Sequence, residues 1–248
     1  MEELEHSLFI VEFVNKLLGK PVVSLLAWAG IPVKNPQAPI PDYIVMCFIV
    51  AILLIILLGW ASRRLSIIPS KRQSVLELIV QTFEGQIVEI IGEQGKKFLP
   101  VIATLGIFIF TSNLIGLAPG FMSPTSKINV TLGCGLCVFV YYHWQGIKAQ
   151  GLLKYLKHFT GPTPALAPLL MPIEIISHFS RPCSLALRLF GNIFSEEMLI
   201  VIIASIIPFV LPLPFMVVAL FTATIQSFVF VLLSCIYISG AVSHEEEH

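Results

Sequence analysis

The sequence predicts an all-α integral membrane protein with about five transmembrane helices, the last two long and paired as a tilted hairpin, plus an amphipathic surface helix. Of its 248 residues, 56% are hydrophobic and only 12% are charged, and the mean hydropathy is +0.89. Soluble domains carry about 25% charged residues, and uncharged apolar runs of about 20 residues are typical of helices that cross a bilayer. We therefore expect residues 1–248 to form a single membrane domain.

Charge and cysteine usage exclude several classes of function. Fifteen Lys and Arg balance fifteen Asp and Glu, so no basic field favours nucleic acid. The five cysteines are an odd set within or beside apolar stretches, which indicates no disulfide framework. The C-x-x-C pair at Cys134 and Cys137 lacks the second pair of a typical zinc site. No phosphate-binding loop or dinucleotide fingerprint occurs, and we expect no cofactor, no metal and no nucleotide chemistry on this chain.

The chain begins with a segment, residues 1–40, that we expect to be outer or interfacial. Its apolar stretch is broken by charges and Pro21 and runs into a proline-rich link, a pattern that favours the membrane surface. The acidic start MEELEH is unlike a signal peptide, so no cleaved leader is expected. The first span lies in residues 41–60, where the uncharged run YIVMCFIVAILLIILLGW is about 27 Å long as a helix, close to the hydrocarbon thickness.

Residues 61–97 are predicted to be a cytoplasmic loop that contains the amphipathic helix. Glutamates alternate there with an apolar stripe at helical spacing, as on a helix that lies on the membrane. The stripe consists of Leu76, Ile79, Val80, Phe83, Ile87, Ile90 and Ile91. The second and third spans follow in residues 98–142, joined by the turn-rich PGFMSPTSK, and a polar cytoplasmic loop is expected at residues 143–163.

Residues 164–248 are predicted to form a helical hairpin and a tail. The apolar pattern runs almost to Gly240, and Pro208, Pro212 and Pro214 mark the turn between helices of about 40 and 28 residues. The first of these helices is longer than a perpendicular crossing needs, so it is tilted, kinked or partly outside the bilayer.

Lysine and arginine counts predict the orientation. Segments 61–97 and 143–160 hold six and three of these residues, whereas 119–127 and 208–214 hold one and none. Positive loops face the cytoplasm. With five spans, the N-terminus lies outside and the acidic C-terminal tail is cytoplasmic.

Arg188 stands deep in the first hairpin helix, where a charge costs around 2.5–3.5 kcal/mol on insertion scales. Either it snorkels or pairs within its own chain, or it marks an ion pathway. At 100° per residue, Arg181 and Asn192 lie within about 40° of its face, and Glu174 lies on nearly the same face about 21 Å away. Glu197 points to the opposite side.

The second hairpin helix carries one large polar group, Gln226, between Pro214 and Gly240. Serine and threonine hydroxyls in such a helix can bond to carbonyls of their own helix. The longer Gln226 amide does this less easily, so it is a candidate functional residue.

Four strings carry a resemblance to a known family. RPCSLALRLFGNIFSEE with Glu174 upstream, ATIQSFVFVLLSCIYISGAV, FIFTSNLIGLAPGF and PTSKINVTLG together resemble the subunit a family of F-type ATP synthases over most of residues 70–241. The resemblance implies a stator with two half-channels against a rotating c-ring whose subunits carry a buried carboxylate. It also implies peripheral-stalk b subunits and the rest of the complex as partners, and a bacterial-type cell membrane as the location.

The same resemblance implies residue roles. Arg188 matches the family's essential arginine, Asn192 the asparagine after it, and Gln226 the glutamine that faces the arginine from the last helix. Glu197 matches the carboxylate of the outer half-channel, and Glu174 matches the acidic residue on the cytoplasmic side.

Three further residues are expected to assist these groups. Glu196 and Asn113 would help Glu197 to line the outer half-channel, and His178 would accompany Glu174 at the cytoplasmic exit.

Two positions depart from the family pattern. In some relatives a histidine on the last helix couples to the outer carboxylate, and Ala219 occupies that position here. Glu196, His178 and water are the alternatives that could replace this histidine. Lys127 stands where many relatives have an acidic or neutral residue, which argues against an acidic funnel at the outer entrance.

Two other classes of function compete with this interpretation. A channel or secondary transporter would also use intramembrane charges, but no inverted repeat is found. A membrane enzyme would need a nucleophile and a base at one depth, for which His178 with Ser180 or Ser184 is the candidate set. The proton is the default coupling ion, since the choice against Na⁺ depends on the ring carboxylate in another chain.

Overall fold

The computed structural model describes residues 9–28, 39–63, 66–67, 69–118, 121–158, 167–207 and 210–242, and most of these residues are helical. The α-helices are α1 Phe9–Trp28, α2 Asp42–Ala61, α3 Lys71–Ile91, α4 Leu99–Gly116, α5 Ile128–Gln150, α6 Leu152–His158, α7 Ala167–Ile206 and α8 Pro212–Val242. Short 3-10 helices cover Glu93–Phe98 and Pro124–Ser126. The described ranges contain no strand, and the predicted all-α class is confirmed.

Local chemistry sets the ends of several helices. The Ser70 hydroxyl accepts a hydrogen bond from the backbone N–H of Gln73 at the start of α3, as an N-cap residue does. Gly92 and Gly151 end α3 and α5 with φ of 87° and 80°, which glycine adopts without the steric cost of a Cβ.

Four helical segments are long and apolar enough to cross a membrane: Asp42–Ala61, Glu93–Gly116, Leu170–Ile206 and Pro212–Val242. They coincide with the predicted first and second spans and the hairpin. The predicted third span falls in α5. This helix is long enough but less apolar than those four segments, since its C-terminal half carries Tyr142, His143 and Lys148. With 23 residues, α5 is about 34 Å long, so it has the length for the fifth span, which stays a prediction.

Much of the range predicted as a cytoplasmic loop, residues 143–163, is helical in the structure. Helix α5 continues to Gln150, and α6 follows directly after Gly151. Tertiary packing explains the extension, because a Cβ at Gly146 would lie 2.6 Å from the Tyr155 ring and 3.3 Å from the Ala241 carbonyl. The polar residues of this stretch therefore belong to the packed end of a helix.

Helix α1 is tied to the start of α2 by one side chain. The Asn15 amide donates to the Ile40 carbonyl at 3.1 Å and accepts from its N–H at 3.0 Å. The proline-rich link lies mainly in residues 29–38, and the acidic tail in residues 243–248; both fall outside the described residues.

The core lies where α4, α5, α7 and α8 meet. Its members are large apolar side chains that are 0–2% exposed, namely Ile109, Tyr142, Leu189 and Phe230, together with Cys235. The C-terminal half of α3 packs on this core through Ile87, whereas its N-terminal half is largely exposed. Helix α7 is continuous over 40 residues although it contains Pro172 and Pro182; at about 60 Å it is about twice the hydrocarbon thickness.

Helices α5 and α7 approach closely at a glycine. A Cβ built on Gly135 would lie 2.8 Å from the Pro182 carbonyl oxygen, whereas one built on Gly133 meets nothing within 4 Å. The absence of a side chain at position 135 thus sets the spacing of the two helices.

We expect Gly135→Ala to destabilise the protein by about 1–3 kcal/mol, because the added methyl group overpacks the α5–α7 contact. Gly133→Ala is the matched control, since it adds the same group to the same helix without a contact. The thermal denaturation midpoint of the detergent-purified chain should fall for the first variant only. Equal midpoints for the two variants would contradict the close approach.

Candidate functional site

Arg188 lies on an open face of α7. The arginine and its neighbours Leu187 and Asn192 are exposed, and Leu187 is 60% exposed. No residue in the described ranges forms a hydrogen bond or ion pair with the Arg188 guanidinium. Pairing within the chain, one of the two sequence-based alternatives, is therefore not found among the described residues.

Gln226 reaches the helix of Arg188 but bonds to its neighbour. The Asn192 Nδ2 donates to Gln226 Oε1 at 2.8 Å, and the glutamine is 4% exposed on α8. Because Asn192 is one helical turn from Arg188, the bond joins the two long helices directly beside the arginine. The structure shows Gln226 bonded to Asn192, and the expectation that Gln226 faces Arg188 stays a prediction.

Glu197 lies on the other side of α7, as the 100° spacing predicts. Its carboxylate is half-buried and accepts a 2.8 Å hydrogen bond from the Ser123 backbone N–H. Lys127, at the end of the same connecting segment, adds a positive charge to the surroundings of this carboxylate. The arginine and this glutamate therefore face different surroundings.

A network of hydroxyl groups surrounds Ser123, the residue whose backbone N–H binds Glu197. The sequence did not predict this network. Ser123 Oγ donates to the Ser112 carbonyl at 3.0 Å and lies 2.6 Å from Thr125 Oγ1. Thr125 Oγ1 donates to the side-chain oxygen Oδ1 of Asn113, and Asn113 Nδ2 in turn donates to the Ala223 backbone carbonyl at 3.4 Å. The SPTS string was the available signal, since hydroxyl residues clustered between two apolar runs indicate a polar lining.

A cavity of about 630 Å³ opens beside this network, between α4, α7 and α8. Glu196, Glu197 and Asn113 line it, and so does Ala219, which is 1% exposed. Glu196 is half-buried and lies near the Thr222 hydroxyl. The three residues that the sequence predicted for one half-channel thus share one cavity.

Glu174 and His178 lie at the opposite end of α7. His178 Nε2 is 3.3 Å from Glu174 Oε1, and His178 Nδ1 is 3.1 Å from the Tyr142 hydroxyl of α5. His178 is 19 residues from Glu197, about 28 Å along a helix. His178 is therefore too far from Glu197 to replace the histidine that some relatives have at the Ala219 position. Glu196 and water remain as the alternatives.

The structure shows no candidate metal site: within the described ranges, no three His, Cys, Asp or Glu side chains are grouped so that they could hold an ion. Cys134 is buried while Cys137 is exposed, so the two thiols of the C-x-x-C pair lie in different environments.

Comparison with known proteins decides the family. The sequence model described as "ATP synthase A chain" matches residues 44–239. The chain belongs to this family. A relative named "ATP synthase subunit a 1" from Pelobacter propionicus (strain DSM 2379 / NBRC 103807 / OttBd1) is 42% identical over 243 residues, which cover 98% of this chain and 99% of that protein.

Two further relatives carry the name "ATP synthase subunit a". The Geotalea daltonii (strain DSM 22248 / JCM 15807 / FRC-32) protein is 47% identical over 207 residues, covering 84% of this chain and 89% of the relative. The Campylobacter fetus subsp. fetus (strain 82-40) protein is 41% identical over 209 residues, covering 84% and 92%. All eight candidate residues lie inside the range that matches the ATP synthase A chain family.

Thr125→Val should destabilise the chain, because valine keeps the shape but leaves the buried Asn113 oxygen without its hydroxyl donor, at a cost of about 1–3 kcal/mol. Thr82→Val is the matched control, since Thr82 is exposed and bonds only to Leu78 of its own helix. Thermal denaturation in detergent measures both. A midpoint for Thr125→Val as high as that of the control would show that the network contributes no stability.

Proposed function

We propose that this chain is the ion-translocating stator subunit of the membrane sector of an F-type ATP synthase. It forms two half-channels against a c-ring and couples proton flow to rotation and ATP synthesis. The observation that carries the proposal is Arg188, a permanent charge on an open face of a long apolar helix, with no partner among the described residues of its own chain. A partner group on another subunit would offset the free-energy cost of placing this charge on an apolar helix.

Arginine suits the barrier between two half-channels. Its guanidinium remains charged throughout the physiological pH range and cannot pass a proton on, yet it stabilises the ionised form of a carboxylate that comes near it. A buried lysine loses its proton more easily and is a poorer barrier. A ring carboxylate that passes Arg188 would therefore release its proton on one side and take up another on the far side.

The outer half-channel is proposed to be the cavity that Glu196, Glu197 and Asn113 line. Carboxylates that exchange protons need water on one side and hydrogen-bond donors on the other. The cavity supplies the space for water, and the Ser123 N–H supplies a donor to Glu197. Glu196 borders the same cavity as Ala219, which supports it as the residue that takes the part of the missing histidine.

The cytoplasmic half-channel is proposed to pass the Glu174–His178 pair. The two side chains are 3.3 Å apart and belong to the N-terminal part of α7. A carboxylate beside an imidazole can hold and return a proton near neutral pH.

We further propose that the chain is a multi-pass protein of a bacterial-type cell membrane, with the N-terminus outside and the C-terminus cytoplasmic. The excess of Lys and Arg in residues 61–97 and 143–160 supports this orientation. Its partners are the c-ring, the peripheral-stalk b subunits and the catalytic head, which carries the nucleotide chemistry. Each proton that crosses 100 mV releases about 2.3 kcal/mol for rotation.

Arg188→Ala should reduce ATP-driven acidification of inverted membrane vesicles to less than about a tenth of the wild-type rate, since the electrostatic barrier is lost. Arg63→Ala is the matched control, because Arg63 is an exposed arginine just after α2. Assembly of the complex and its ATPase activity are measured on the same vesicles. The assay is run with and without Na⁺ to identify the coupling ion.

Loss of pumping with intact assembly in Arg188→Ala, and normal pumping in Arg63→Ala, is the expected result. Normal pumping by assembled Arg188→Ala complexes would overturn the proposal and reopen the channel or transporter interpretation. Wild-type acidification that is lost when Na⁺ is added would leave the stator role in place and replace the proton as the coupling ion, because the assay detects only proton uptake.

A further inference from the structure

Positive charge is concentrated where the end of α2 turns into the start of α3, and the function proposed above makes no use of it. Residues 62–76 contain four Lys and Arg and no acidic residue. Three of these cations, Arg63, Lys71 and Arg72, are exposed, and none of them forms an ion pair with a described residue. We call these three cations together with Trp60 the basic corner. Its charge is not neutralised within the described part of the chain.

Two contacts fold the connection between α2 and α3 back on itself. The Arg72 guanidinium carbon lies 4.2 Å from the centroid of the Trp60 ring, a cation–π contact that holds the first turn of α3 at the end of α2. The buried Gln73 amide donates to the Ser66 carbonyl at 2.9 Å and accepts from the Ser66 N–H at 3.0 Å. The cations on the two sides of the turn therefore belong to one closed loop.

The basic corner lies at the end of an apolar helix that is long enough to cross the membrane. Trp60 is the penultimate residue of α2 and is exposed, and tryptophan at a helix end is typical of the membrane–water interface. Within the loop, Ile67 is fully exposed, and on α3 so in large part are Val75 and Leu78. Apolar side chains at this level pack on lipid more favourably than on water. The cations thus lie at the depth of lipid headgroups.

Charge and apolar surface together select the class of ligand. A small free anion would meet the cations but would leave Ile67 and the exposed Ile55 and Ile56 of α2 without a contact. A phospholipid with a net negative headgroup meets both needs, because its phosphate can lie against the cations while its acyl chains lie along α2. Each Lys or Arg close to an anionic membrane surface strengthens binding about five-fold.

We propose that the basic corner binds the headgroup of an anionic phospholipid whose acyl chains lie along the exposed face of α2. The inference requires that α2 spans the membrane and is independent of the ion-translocating role of α7 and α8.

The test uses Trp60 fluorescence as a local probe of bound lipid. In the full chain with Trp28→Phe and Trp144→Phe, Trp60 is the one tryptophan that remains. This chain, purified in nonionic detergent, is titrated with phosphatidylglycerol or with phosphatidylcholine. Both lipids carry bromine on their acyl chains, because bromine quenches a nearby indole. The measured quantity is the mole fraction of lipid that gives half-maximal quenching.

Two pairs of substitutions are compared on this background. Arg63→Gln with Lys71→Gln removes two charges from the basic corner and leaves Arg72 on Trp60. Lys148→Gln with Lys154→Gln is the matched control, because it removes two exposed charges that lie on α5 and α6.

We expect the unsubstituted corner to bind phosphatidylglycerol at least about twenty-five-fold more tightly than phosphatidylcholine. The corner variant should lose about twenty-five-fold in affinity for phosphatidylglycerol, from two charges at about five-fold each, and less than about two-fold in affinity for phosphatidylcholine. The control variant should match the unsubstituted corner. Equal affinities for the two lipids, or equal losses in the two variants, would overturn the proposal.

Salt and a soluble phosphate ester provide tests that need no variant. About 1 M NaCl shortens the range of the charge interaction to about 3 Å, so the preference for phosphatidylglycerol should shrink. An undiminished preference would overturn the proposal even if the corner variant fails to fold. Glycerol phosphate that displaces the lipid at an equal headgroup concentration would also overturn it, because the site would then bind free phosphate.

A photoreactive side chain at position 67 tests the corner in the assembled complex. Illumination of native membranes should attach phosphatidylglycerol or another anionic lipid to the chain, as detected by mass. Attachment to another protein subunit would show that a protein occupies the corner and would overturn the proposal.

Discussion

The cost of holding Arg188 in an apolar setting is the constraint on which the rest of the structure depends. A guanidinium at membrane depth needs a counter-charge or water, and the described part of the chain offers it neither a carboxylate nor a hydrogen bond. The surrounding architecture keeps the arginine in place without neutralising it. Helix α7 is continuous through its position, and the Asn192–Gln226 bond joins α7 to α8 one turn away.

The carboxylates of α7 are gathered towards its two ends, and the Asn192–Gln226 amide pair lies between them. Glu196, Glu197 and the Ser123–Thr125–Asn113 network lie at one end, and the Glu174–His178 pair with its tyrosines lies at the other. In the middle, the hydroxyls of Ser227 and Ser234 bond to carbonyls of their own helix. The donor hydrogens of these hydroxyls are therefore occupied within α8.

Much of the site could be predicted from helical geometry, because residues of one helix have fixed angular relations. The 100° spacing placed Arg188 and Glu197 on different sides of α7, and the structure confirms it. The same reasoning could not find the partners of these residues. Glu197 bonds to a residue 74 positions away, His178 to one 36 positions away, and Asn192 to one 34 positions away.

The sequence by itself determined the helical class and the positions of four apolar spans, since hydrophobicity and helical periodicity are properties of neighbouring residues. Tertiary structure alone decided which amide bonds to which and which polar groups share a cavity. Residues 143–150, predicted to be part of a polar loop, form the end of α5, where Gly146 packs against Tyr155 and Ala241. Contacts of this kind depend on how whole helices lie against one another, and no local pattern encodes that arrangement.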